Sequence, residues 1–213
     1  MAVYTKINKK DVILITEKFR LKKIVKYQGI KNGIENTNYL FKTKTKKYIL
    51  TIFEKRVHKK DIPFFMKLMD KLSKKNIKCP KPLKNINGNY IMQIQNKPAC
   101  VVTFVQGKDK KNLNIRDCYE VGKNIAKLHV VSKKIKLFRK NSMSVNSWPK
   151  LLKKIGKNSK NIMKKNLKEI KKKWPKNLPS GIIHGDLFID NIFFKKNKFY
   201  GYIDFYFSSN DFL

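Results

Sequence analysis

The 213-residue chain is short of acid, of arginine and of cysteine. Only 14 Asp and Glu stand against 51 Lys and Arg, giving a formal net charge of +37. Four of the basic residues are Arg (Arg20, Arg56, Arg116 and Arg139) and 47 are Lys. Sequence-reading and bidentate phosphate clamps depend on the guanidinium fork, so this scarcity argues against a nucleic-acid partner. The lysines are spread over the whole chain without interleaved stacking aromatics. Together with 21 Asn, they read as the tolerant surface of a protein from an A+T-rich genome. Cys79, Cys100 and Cys118 form no close pair and predict free thiols in a reducing compartment, neither a disulfide framework nor a metal site. No stretch approaches the ~18 apolar residues of a membrane span, and residues 1–20 lack secretory features. The expectation is a cytoplasmic protein with no membrane partner. What is present, 41% hydrophobic and 12% aromatic residues, suffices for a packed core.

Periodicity divides the chain in two, and no internal repeat is evident. Residues 9–20 place Val12, Ile15 and Phe19 at helical spacing. Strands are expected at 24–30, 37–43 and 48–53, with a Gly- and Asn-bearing turn between the first two. Residues 61–75 return to period 3.6, with Phe64, Phe65, Leu68, Met69 and Leu72 on one face, Asp61 as N-cap and Pro63 in the first turn. Strands at 90–95 and 99–105 follow, and a polar connector at 107–112 marks the division. Beyond it, Asn114 can cap a helix that buries Ile115, Tyr119, Gly122, Ile125, Ala126 and Leu128. Residues 148–174 keep Leu151, Leu152, Ile155, Ile162, Met163, Leu167 and Ile170 in helical register under a lysine-rich face. Pro175 and Pro179 end this region, and short strands at 181–183, 192–194 and 199–203 close the pattern.

Chemistry concentrates in that last unit. An apolar strand delivers His184 and Asp186 onto a loop. Asn191 comes five residues later, and after a hairpin Asp204 ends the third strand. A hairpin sets Asn191 beside Asp204, with Asp186 facing them across the loop. Phosphoryl transfer from a nucleotide needs such a set. One carboxylate, Asp186, accepts the proton of an attacking hydroxyl, and hard oxygen ligands, Asn191 and Asp204, hold Mg²⁺ on a triphosphate. His184 belongs to this catalytic unit as a brace of the loop.

His184-Gly185-Asp186-Leu187-Phe188-Ile189-Asp190-Asn191, followed by Tyr202-Ile203-Asp204-Phe205, resembles the signature shared by aminoglycoside phosphotransferases, choline kinases and their relatives. GIENTNYLF at 33–41, YILTIFEKRV at 48–57, DIPFFMKLMDKL at 61–72 and PACVVTFVQG at 98–107 are similar, within that group, to the bacterial homoserine kinases of this fold. The resemblance implies an α+β, two-lobed protein-kinase-like fold. Residues 1–105 would form a nucleotide-binding N-lobe of antiparallel sheet plus helix. Residues 106–213 would form a partial, mainly helical C-lobe with a small β-loop catalytic unit. It implies ATP and Mg²⁺ as cofactors and the hydroxyl of L-homoserine as acceptor, with Asp186 as base and Asn191 and Asp204 as metal ligands. The turn around Gly29, Gly33, Asn36, Thr37 and Asn38 would cover the phosphates, and Thr103, Phe104 and Val105 would form the adenine hinge.

Two departures stand out. Thr51 occupies the slot where a kinase-like strand lysine pairs with phosphates, and strand alternation nominates Lys55 instead, with Asp61 or Asp70 as its acidic helix partner. The chain also stops nine residues after Asp204, where relatives continue with helices. The expectation is therefore an incomplete lower lobe exposing Phe205, Phe207 and Phe212, with poor stability and weak activity. Aminoglycoside, choline-like or sugar acceptors, an inactive remnant, and a basic nucleic-acid-binding protein are the alternatives left open.

Overall fold

In the computed structural model, residues 3–31 and 35–213 are described; Gly33 of the expected phosphate turn lies outside them. Helix α1 (Lys9–Lys18) starts with a reciprocal cap. The Asn8 side chain accepts from the Asp11 amide, and the Asp11 carboxylate accepts from the Asn8 amide, both at 3.0 Å. Five antiparallel strands follow: β1 (Lys26–Gly29), β2 (Thr37–Lys42), β3 (Lys47–Ile52), β4 (Ile91–Ile94) and β5 (Lys97–Thr103), in the order β1-β2-β3-β5-β4.

The near-continuous apolar runs of β3 and β5 are explained by burial on both faces. Tyr39, Phe41, Leu50, Ile52, Ala99 and Val101 pack with Val12, Ile15 and Phe19 of the α1 region. Cys100 and Val102 point the other way, into a second core. There they join helix α2 (Ile62–Lys74) through Phe64, Phe65, Met66, Leu68, Met69 and Leu72. That core continues into the second half of the chain through Val121, Leu128, Ile182, Ile192, Phe194, Phe199, Tyr202 and Phe205.

The β4–β5 hairpin turns on Gln95 and Asn96, whose φ angles are +48° and +62°. Both central residues therefore take the left-handed conformation of a two-residue hairpin turn, for which Asn-Gly is preferred. Replacing Gln95-Asn96 by Asn-Gly is expected to stabilise the fold by about 0.5–1 kcal/mol, read as a rise in melting temperature. No rise would mean that the Gln95 amide, which donates to Lys6 O at 2.9 Å and Asp11 Oδ2 at 3.0 Å, contributes as much as the strain costs.

Several expectations are corrected. Asp61 precedes α2 but makes no side-chain cap, because its carboxylate accepts from Arg139 Nε at 2.9 Å. Helix α3 (Ile115–Ser132) is capped by Asn114, yet it buries Asp117, Val121, Leu128 and Ser132. Ile115 and Tyr119 are 91% and 68% exposed. The helix carries two apolar stripes, and the one docked on the core includes Asp117, which is held by Lys110 Nζ at 2.7 Å. After α4 (Trp148–Leu151), helix α5 (Lys157–Lys173) packs against α4 and the turn that follows it. Of its expected apolar face only Leu167 is buried.

Strands β6 (Ser180–Ile183) and β9 (Ser209–Phe212) pair, as do β7 (Ile192–Lys195) and β8 (Lys198–Tyr202). Strand β9 was not expected from periodicity. It ties down the segment after Asp204, so Phe205 is buried, not exposed. Among the described residues no helix is long and apolar enough to cross a membrane.

Candidate active site

Strand β6 ends at Ile183 and hands the chain to His184, Gly185 and Asp186. Gly185 has φ +82°, and a Cβ there would fall 2.6 Å from the Phe207 carbonyl oxygen. Only glycine lets the loop lie this close to the segment after Asp204. His184 is 4% exposed and lies against the Phe205 ring, with centroids 4.5 Å apart. Its Nε2 is 2.9 Å from Ile203 O. A carbonyl can only accept, so Nε2 carries the proton. The free lone pair on Nδ1 then accepts from the Asp186 amide at 3.4 Å, while the Ser208 hydroxyl donates to His184 O at 3.1 Å. Burial pushes the imidazole down to about 4, against the opposing pull of the Ile203 bond. It is a neutral brace at physiological pH.

The amide of Asn191 donates to Asp186 O at 2.8 Å and reaches Asp186 Oδ2 at 3.4 Å. Asn191 in turn accepts at its backbone carbonyl from the Ile203 amide at 3.0 Å, next to Asp204. Asp204 itself adopts the left-handed conformation, φ 62°, ψ 61°. Burial first, and then the charges of Asp186, Glu35 and Asp190, raise its carboxyl to about 6. Asp186 is likewise raised, by desolvation and then by Asp190, with Arg56 and the Asn191 amide pulling down. Acids crowded until they resist ionisation make a negative well, which a divalent cation relieves. Among the described residues no three His, Cys, Asp or Glu side chains group to hold a metal alone. The hard donors at hand are instead the Asp204 carboxylate and the Asn191 side-chain amide oxygen. Such hard oxygens suit Mg²⁺, whose remaining positions phosphate and water can fill.

Tyr206, two residues after Asp204, meets one rung of the sheet, where Asn38 pairs with Thr51 and Thr51 with Cys100. Thr51 donates to Asn38 Oδ1 at 2.8 Å. The Tyr206 hydroxyl donates to Thr51 Oγ1 at 3.4 Å and sits 3.9 Å from Cys100 Sγ. Thr37, one residue along, faces away: its hydroxyl accepts from the Tyr4 and Thr5 amides and donates to Glu54 Oε1 at 2.6 Å. Lys97 pairs with the same Glu54. The Asn36 side chain accepts from the Glu54 amide at 3.4 Å. Gly29 has a packing reason of its own, since a Cβ would meet Val3 Cγ2 at 2.6 Å. At the expected hinge the Thr103 and Phe104 amides already donate, to Lys81 O at 2.9 Å and Lys47 O at 3.2 Å. Val105 follows directly after them.

Lys55 is exposed. Strand β3 stops at Ile52, so the alternation that nominated Lys55 no longer operates three residues later. Neither candidate acid partners it: Asp61 pairs with Arg139 and Asp70 with Lys74. Its neighbour Arg56 instead pairs with Glu35, lies 5.0 Å from the Phe207 ring centroid, and makes its charge felt at Asp186. Glu35, Arg56, Tyr206 and Arg139 were not singled out from sequence. Arg139 also donates to Ser208 O at 3.1 Å and packs over Phe65, joining α2 to the segment after Asp204. The available signal was the scarcity of Arg, which makes each guanidinium conspicuous.

Solved structures of protein-kinase-like small-molecule phosphotransferases share this architecture. An amicoumacin kinase in complex with AMP-PNP, Ca²⁺ and Ami aligns over 97% of the chain and 66% of its own length, with TM-score 0.77 and 15% identity. A choline kinase from Cryptosporidium parvum aligns over 96% and 66%, with TM-score 0.71 and 17% identity. In sequence, the homoserine kinase of Bartonella tribocorum is 39% identical over the whole chain and 69% of its own length, and that of Agrobacterium fabrum 37% identical over the whole chain and 68% of its length. The chain thus spans about two thirds of the length of these relatives. Residues 26–213 match the model of the Phosphotransferase enzyme family, and the chain belongs to that family, alongside the homoserine kinases.

Proposed function

We propose that this chain carries the machinery for ATP- and Mg²⁺-dependent phosphorylation of the L-homoserine hydroxyl, giving O-phospho-L-homoserine, in the cytoplasm. The observation that carries this reading is the meeting of Asp186, Asn191 and Asp204 in one crowded acidic site. The choice of homoserine rests on the relatives that are 37–39% identical over the whole chain.

In this reading residues 1–105 form the nucleotide lobe and residues 106–213 the lobe with the catalytic loop. When bound, ATP supplies the phosphoryl group and Mg²⁺ the positive charge that offsets it. Asn191 and Asp204 hold the metal. Asp186 lies beside the acceptor hydroxyl and takes its proton at Oδ1 or Oδ2, while His184 fixes the Asp186 backbone from behind. The backbone at Gly29 and at 36–38 covers the phosphates. The carbonyls of Thr103 and Phe104 and the amide of Val105 face adenine. Positioning and charge neutralisation account for most of the catalysis in such chemistry.

The test is phosphate transfer from ATP by the purified protein, scored on homoserine, serine, choline, a hexose and an aminoglycoside. Homoserine is expected to give the highest kcat/KM by at least tenfold, since the site must grip both its amino and carboxylate ends. Preference for any other acceptor would overturn the assignment of homoserine, and transfer to none of them would overturn the kinase reading.

A further inference from the structure

Thr51, in the slot of the missing strand lysine, brings hydrogen bonds but no charge. Lys97 is engaged with Glu54 and Thr5 on the face of the sheet that packs α1. Among the described residues, the Lys74, Lys110 and Arg139 ion pairs are likewise made with acids outside the crowded site. The pair of Arg56 with Glu35 is different, because the charge of Arg56 is felt at Asp186 and that of Glu35 at Asp204.

We propose that Arg56 supplies the cation absent from β3, its guanidinium exchanging the Glu35 carboxylate for oxygens of the phosphoryl group in transfer. The inference rests on the phosphotransfer reading above. Three features carry it. Arg56 lies four residues past the end of β3 and close enough to the catalytic loop for its charge to act on Asp186. Its plane is steadied by the Phe207 ring at 5.0 Å, from the same segment that carries Asp204. Its side chain is 60% exposed against 21% for Glu35, so the guanidinium is free to turn while the carboxylate is the buried partner. Burial raises the Glu35 carboxyl, with Arg56 opposing the rise and the Asp186 charge adding to it. A phosphoryl group offers the same paired oxygens with more charge. In the transfer the bond between the γ-phosphorus and the ADP oxygen breaks and a bond to the acceptor oxygen forms. The acceptor proton passes to Asp186, and Arg56 makes and breaks only hydrogen bonds.

The test is calorimetric binding of ADP and of a non-hydrolysable ATP analogue, each with Mg²⁺, to the unaltered protein and to Arg56→Ala and Arg56→Lys. Loss of a charge-assisted bidentate contact is expected to weaken analogue binding about 10- to 100-fold. ADP binding should stay within about twofold, and Arg56→Lys should recover part of the loss. Turnover should fall equally with homoserine and with an amino alcohol of the same chain that lacks the carboxylate. A loss confined to homoserine would overturn the proposal and assign Arg56 to the acceptor carboxylate. Equal weakening of ADP and analogue, with a lower melting temperature, would reduce Arg56 to a strut. Failure of the unaltered protein to bind either nucleotide would overturn the kinase reading and this inference with it.

Discussion

Asp186→Asn is expected to lower kcat by about 10²–10⁴-fold, the range for loss of a positioned general base, while nucleotide affinity stays within a few-fold. The substitution is nearly isosteric, and the bonds that shape the loop survive it. The Asp186 backbone carbonyl still accepts from Asn191, the Asp186 amide still reaches His184 Nδ1, and His184 still holds Ile203 O. Only the 3.4 Å contact from the Asn191 amide to Oδ2 changes. Asp190→Asn is the natural control. Asp190 is exposed and acts on Asp186 as a neighbouring charge, so its loss should alter kcat by no more than about twofold. Initial rates for both variants, with melting curves to confirm folding, decide the matter. An Asp186→Asn enzyme keeping a tenth of the parent kcat would remove Asp186 from the role of base.

The legible parts of this protein were those where local sequence and tertiary demand coincide. The 184–204 unit could be read because three side chains with one kind of chemistry fall at the ends of short apolar strands, and strand pairing then forces them together. The strand core could be read for the same reason, since β3 and β5 are buried on both faces. The helices of the second half fared worse. In α3 the sequence offers two apolar stripes, and only the packing partner, with the Lys110–Asp117 pair, selects the one that includes Val121 and Leu128. Lys55 and Arg56 show the limit of periodicity. The alternation is sound within β3, but the strand ends at Ile52, and three residues later Lys55 is exposed while Arg56 pairs with Glu35. The sequence reading groups Thr37 and Asn38 together as phosphate-covering residues, but strand parity sends the Thr37 hydroxyl to Glu54 and the Asn38 side-chain amide to Thr51. The pairing of Asp61 with Arg139, 78 residues apart, left no local trace at all.

Arg139, His184 and Tyr206 together explain how a site so rich in acid stays assembled. Arg139 and His184 bond carbonyls on the strip from Ile203 to Ser208, and Tyr206 ties that strip to Thr51 of the sheet. Asp204 is thus held in its left-handed conformation by neighbours, not by its own preference. Strain of that kind costs on the order of 1–3 kcal/mol and persists only where surrounding contacts over-determine it. The segment is therefore expected to be the part of the site most sensitive to changes in its second-row contacts.

His184 makes that dependence measurable through pH. Its folded pKa, about 4, lies below the ordinary value of 6.5. The unfolded chain therefore binds a proton between those values that the folded protein refuses. Stability from this residue is complete above about pH 6.5 and is lost as pH falls towards 4, by about 3 kcal/mol in all. The raised carboxylates Glu35, Asp186 and Asp204 act with the opposite sign, since their folded forms take up protons earlier than the unfolded chain. The net acid profile therefore mixes both effects, and a difference measurement isolates the imidazole. Denaturant midpoints of the parent and of His184→Gln, taken from pH 7 to pH 4, should converge as the pH drops, because glutamine keeps a donor towards Ile203 O but cannot be protonated. A direct check is the imidazole resonance of His184 in the folded protein, which should stay in its neutral position down to about pH 4.5. Titration of His184 near 6.5 would mean that water reaches the ring, and the brace behind Asp186 would then be far looser than its 2.9 Å bond to Ile203 implies.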